Sequence, residues 1–126
     1  MLAKDLLMKN LAPRIYRQRL LMEAVYTIEV DQAKVRAYLL GLAKELGLRV
    51  YGDPLVHSPD GQGKAENQGF DAFVPLIDSG ISAYVWSAAK LVSVLVYSCK
   101  PFDPSRAIEY TREYWQVDGA VEHKEF

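Results

Sequence analysis

Among the side chains able to move protons in the second half of this 126-residue chain are the carboxylate of Asp71, the hydroxyl of Ser79, the phenol of Tyr84 and the thiol of Cys99. Ser79 lies in the run Phe73-Val-Pro-Leu-Ile-Asp-Ser-Gly-Ile-Ser-Ala-Tyr-Val-Trp86, where Asp78-Ser79-Gly80 taken alone reads as a hairpin turn. Cys99 taken alone reads as a small buried hydrophobe more readily than as an acid, and its place at a strand end before Lys100-Pro101 brings the acid reading level. Asp71 stands apart, because a carboxylate in a half-apolar sheet must be paired, protonated or solvated by a cavity. It is expected to line a site. Tyr84 and Trp86 read as interface aromatics or as site residues, and His57 as a loop residue or a ligand contact.

The bulk composition narrows the field. Fifteen basic and sixteen acidic residues leave a net charge of -1, which removes the case for a dominant polyanion-binding surface and so for nucleic acid. With one cysteine there is no intramolecular disulfide, and His57 and His123 are too few and too distant to suggest a metal centre. Lys4, Asp5 and Lys9 interrupt any N-terminal apolar stretch, and no run approaches the roughly 18 apolar residues of a membrane span. A cytoplasmic protein without membrane contact is expected.

The chain divides into an N-terminal helical arm over 1–20, a main domain over 21–117 and a loose polar tail over 118–126. In the arm, Leu2, Leu6, Leu7 and Leu11 recur at helical spacing until Pro13, and Arg14, Arg17 and Arg19 follow. A strand is expected over 22–30. Asp31 then caps a helix carrying Val35, Leu39, Leu42 and Leu46, which Gly47 stops. A second strand over 48–56 leads into a polar, glycine-rich loop from His57 to Gln68, whose glycines match no phosphate loop. Three strands over 69–77, 81–86 and 90–99 follow, and Asp103-Pro104 opens a last helix running to about Trp115. The order β-α-β-β-β-β-α predicts an α+β two-layer sandwich with both helices on one face of an antiparallel sheet.

Alternation separates the two faces of that sheet. One face, including Val74, Ile81, Val85, Val92, Val94 and Val96, is nearly pure hydrocarbon and suits burial under the helices. The other mixes Asp71, Phe73, Ser82, Tyr84, Trp86, Leu95, Tyr97 and Cys99, which is too apolar to face water alone. A homodimer packed sheet against sheet is therefore expected. A two-residue turn at Ser79-Gly80 would set Pro75 opposite Tyr84 and Tyr84 opposite Ser93, with the chemistry-capable groups converging at the Ser79 end.

Three stretches bear on function: His57-Ser-Pro-Asp-Gly61, Ile77-Asp-Ser-Gly-Ile-Ser82, and Tyr97-Ser-Cys99 followed by Phe102-Asp-Pro-Ser-Arg-Ala-Ile-Glu-Tyr110. In their order and spacing, from about Tyr26 to Trp115, the chain resembles the small prokaryotic pyruvoyl-dependent S-adenosylmethionine decarboxylases, as a divergent member. The resemblance implies cleavage between Asp78 and Ser79, with Ser79 attacking the preceding carbonyl and becoming a covalent pyruvoyl group. That ketone would form a Schiff base with a substrate amine and act as an electron sink during decarboxylation. Cys99 matches the residue credited with protonating the product carbanion.

Other matched positions differ. Tyr84 stands where the family has its processing histidine, and a phenol near pKa ~10 accepts a proton at neutral pH less readily than an imidazole near ~6.5. Asp71 stands for a serine that assists processing, so an Asp71/Tyr84 pair would replace the usual groups. Ala88 replaces the glutamate that grips the ribose, and His57 the aromatic ring that stacks on adenine. Substrate contacts are then expected at His57, Trp86 and Glu29, with a small-molecule amine or amino acid, not necessarily S-adenosylmethionine, as the ligand. The alternative is a non-processing homologue with no cofactor, serving as a dimeric binding or regulatory module.

Overall fold

A computed structural model of the chain describes residues 8–126. The leucines at positions 2, 6 and 7 of the expected N-terminal helix lie outside them. Residues 8–17 run as turns and extended chain, not as helix, and the first strand begins earlier than expected, at Gln18.

Six strands form one antiparallel sheet in the order β2-β3-β4-β5-β1-β6. They are β1 (Gln18–Val25), β2 (Leu55–His57), β3 (Gly69–Leu76), β4 (Ser79–Trp86), β5 (Leu91–Ser98) and β6 (Asp118–Glu125). Helices α1 (Gln32–Glu45) and α2 (Pro104–Trp115) cover one face, as the α+β reading expects. Asp31 caps α1 by accepting the Lys34 N–H at 2.8 Å, and Asp103 caps α2 through the Ser105 N–H at 2.9 Å.

The hydrocarbon face is the core. Val74, Ile81, Ala83, Val92, Val94 and Val96 are fully enclosed beneath Tyr38, Leu39 and Leu42 of α1 and Ala107 and Trp115 of α2. The opposite face leaves Asp71, Phe73 and Tyr84 exposed and Leu95 and Tyr97 half-buried.

Three expectations give way. The strand expected over 48–56 shrinks to Leu55–His57, although Arg49 and Tyr51 still bond to Ile77 and Pro75 across β3. Pro54 has no N–H to continue that ladder. Gly52 packs so closely on the Pro75 ring that a Cβ would approach it to 2.8 Å. The tail read as loose is instead β6, paired along β1 from Leu20↔Glu125 to Val25↔Asp118. Gln116, in a left-handed conformation at φ 46°, turns the chain out of α2, and β6 takes up the hydrogen bonds of an otherwise open edge.

The β3–β4 turn also moves. Its two residues are Ile77 and Asp78, so Leu76 faces Ser79, Pro75 faces Gly80 and Asp71 faces Tyr84. The shift of two residues preserves every face and changes every partner. Tyr84 keeps its expected neighbour Ser93 on β5.

Candidate active site

The favoured two-residue hairpin turns place positive φ on their central residues. Here neither Ile77 nor Asp78 has it, and Ser79 carries it instead, at φ 139°. A non-glycine residue in that region costs about 1–3 kcal/mol and persists where its surroundings hold it. Two surrounding contacts do so. The Cys99 N–H donates to the Asp78 carbonyl oxygen at 2.8 Å, and the Ser79 Oγ lies 3.4 Å from the Cys99 Sγ.

Cys99 is presented by a bend that its neighbours lock. Buried Ser98 donates through Oγ to the Lys100 carbonyl at 2.6 Å and accepts the Lys100 N–H at 2.9 Å. Gly80 completes the turn beneath an aromatic lid, since a Cβ there would lie 2.5 Å from the Phe73 ring. Hydroxyl, thiol and a polarised carbonyl therefore meet at the β3–β4 turn, where β4 begins beside the end of β5. A donor aimed at a carbonyl oxygen stabilises negative charge that develops there under nucleophilic attack. The attacking group in reach is the Ser79 hydroxyl, and the carbon is that of Asp78.

The other expected site residues do not converge on this point. Tyr84 is five residues along β4 from Ser79, about 16 Å at ~3.3 Å per residue. Asp71 lies beside Tyr84. Trp86, half-buried, is paired with Gly69 and Leu91 at the far end of the sheet. Glu29 is exposed in the β1–α1 connection at that same far end, because β1 stops at Val25, opposite Leu91. His57 ends β2, directly opposite Asp71. The chemistry-capable groups thus form two clusters, Ser79 with Cys99 beside the β3–β4 turn and His57 with Asp71 and Tyr84 in one row of the mixed face.

The donor on the Asp78 carbonyl escaped the sequence reading, because a backbone N–H leaves no trace in residue type. Among the described residues, no three metal-ligating side chains gather. Nor, among the described residues, is any helix long and apolar enough to cross a membrane.

The comparisons bear on the family and the fold. No curated protein matched the sequence. A crystal structure of the adenosylmethionine decarboxylase from Aquifex aeolicus VF5 is similar in fold, with a TM-score of 0.66 at 23% identity over 89% of each chain. The family model described as S-adenosylmethionine decarboxylase matches residues 21–125. Since that match spans nearly all of the sheet and both helices, the chain belongs to the S-adenosylmethionine decarboxylase family.

Proposed function

We propose that this protein is a self-processing, pyruvoyl-dependent decarboxylase of a small amino acid or of S-adenosylmethionine, acting in the cytoplasm as a homodimer in polyamine metabolism. The observation that carries the reading is the Asp78 carbonyl held by the Cys99 N–H beside the Ser79 hydroxyl. Attack of Ser79 Oγ on the Asp78 carbonyl carbon forms the C–O bond of an ester as the Asp78–Ser79 C–N bond breaks. The Oγ proton ends on the freed Ser79 nitrogen. Elimination releases Asp78 as a carboxylate and leaves dehydroalanine, which water converts to the pyruvoyl group and ammonia.

The turn suits that group. Ser79 begins a strand, its main chain is already out of the ordinary regions, and Cys99 stands at its side chain. The pyruvoyl ketone supplies an electron sink for loss of carbon dioxide from a bound amino acid. Cys99 then delivers a proton from Sγ to the product carbon.

Within one protomer Tyr84, at the position of the family's processing base, lies ~16 Å from Ser79. A second copy supplies an acceptor. Packed mixed face to mixed face about a two-fold axis, with its strands reversed, it carries its Asp71 and Tyr84 toward Ser79 and Cys99. The same packing covers Phe73, Leu95 and Tyr97. Ala88 and His57, in place of an acidic ribose contact and a stacking ring, favour a substrate smaller than S-adenosylmethionine.

One observation favours the second reading, a non-processing binding or regulatory module: the phenol of Tyr84 is the weaker proton acceptor. Intact mass measurement of the purified protein separates the two. Two fragments divided between Asp78 and Ser79, the later one blocked to Edman degradation, support the decarboxylase, and a persistent full-length mass supports the module.

A further inference from the structure

Strand pairing sets His57, Asp71, Tyr84 and Ser93 in one row across β2, β3, β4 and β5, each directly opposite the next. Opposed side chains stand on the same face with Cβ atoms about 4.5–5.5 Å apart, a spacing that a change of rotamer lets imidazole, carboxylate and phenol bridge, although none of the three is bonded to another in the single protomer. The order of the row matters. Asp71 sits between a group that donates an N–H and a group whose proton must move. His57 also borders, with Arg36 of α1, a hollow of about 430 Å³, and Arg36 is paired with Asp53 at 3.3 Å. Among the described residues neither a lysine, an arginine nor His57 itself is paired with Asp71 in the single protomer, so the carboxylate is free and the exposed imidazole opposite it must turn about its side-chain torsions to reach it.

We propose that His57 is a positioning residue for self-processing, holding the Asp71 carboxylate where it takes the phenolic proton of Tyr84. The inference rests on the self-processing homodimer proposed above. As Ser79 Oγ bonds to the Asp78 carbonyl carbon, its proton passes to the Oη of Tyr84 of the partner subunit, whose own proton passes to Asp71 of the partner subunit. The imidazole N–H steadies the second carboxylate oxygen. When the Asp78–Ser79 C–N bond breaks, the proton returns along the row to the Ser79 nitrogen, so no group is consumed. An oriented carboxylate thereby converts a weak acceptor into a relay.

The test follows precursor cleavage by intact mass after cell-free synthesis of the full chain. His57→Ala is expected to slow cleavage roughly 10-fold or more. Added imidazole, or the second substitution Tyr84→His, which accepts the serine proton directly, is expected to restore it. Cleavage of His57→Ala at the wild-type rate overturns the inference, as does slow cleavage that neither remedy improves. A wild-type chain that never cleaves removes the processing reading itself, an outcome distinct from either.

Discussion

The Cys99 N–H and the Asp78 carbonyl oxygen, 21 positions apart in the chain, meet at 2.8 Å where the β3–β4 turn lies beside the end of β5. The bond ties together the two features that matter for processing, the peptide to be cut and the thiol beside it. It exists because β5 ends at Ser98, where the Ser98–Lys100 bend turns Cys99 toward the β3–β4 turn.

Gly80 is the tightest point in that turn. A Gly80→Ala substitution drives a methyl group into the Phe73 ring at 2.5 Å, and overpacking of this kind costs about 1–3 kcal/mol. The urea midpoint is expected to fall, and cleavage at Asp78-Ser79 to slow with it. An unchanged midpoint would show that Phe73 simply swings aside.

Neighbouring residues on β5 test the two-faced sheet. Leu95→Arg places a charge on the mixed face and is expected to yield a folded monomer in sedimentation velocity. Val94→Arg buries a charge beneath the helices, where Val94 is fully enclosed, and is expected to abolish folding by circular dichroism. A dimeric Leu95→Arg protein would count against face-to-face packing.

Between the helices and the sheet, the Tyr38 hydroxyl and Thr111 Oγ1 share a buried hydrogen bond of 2.7 Å, and Thr111 also donates to the Met22 Sδ at 3.6 Å. Thr111→Val leaves the Tyr38 hydroxyl without that partner in a site closed to water. A loss of about 1–3 kcal/mol in denaturant unfolding is expected. The double variant Tyr38→Phe/Thr111→Val is expected to recover much of it.

Alkaline stability follows from the same aromatic layer. Burial raises the hydroxyls of Tyr26, Tyr38, Tyr110 and Tyr114 above the ordinary phenol value, Tyr38 most of all. The folded protein therefore holds phenolic protons that the unfolded chain gives up. This stabilisation is complete below about pH 10 and is lost as pH rises from there through the folded-state values. Melting temperatures are expected to drop across that range, and less steeply in Tyr38→Phe.

The family and the separation of the faces were legible in the sequence, for a local reason. Side-chain alternation depends only on strand geometry, so Val92, Val94 and Val96 declare a core face whatever their partners. Helix caps are equally local, and Asp31 and Asp103 act as their positions imply. Register is not local. Ser79-Gly80 carries the expected turn composition, yet the turn closes two residues earlier, because pairing along all of β3 and β4 outweighs the preference of one dipeptide. β6 was hidden for a related reason. Val121 is its one buried side chain, and its existence depends on the open hydrogen-bonding edge of β1, nearly a hundred residues away.

Ser79, Cys99, Asp71 and Tyr84 could thus be named as chemistry-bearing from the sequence, since residue type and the resemblance to a family suffice for that. Only the tertiary structure decided their grouping, with Ser79 against Cys99 at one end of the sheet and Asp71 between His57 and Tyr84 toward the other. The physical reason is that hydrogen-bonded register fixes which residues face each other, and backbone donors such as the Cys99 N–H belong to no side chain at all.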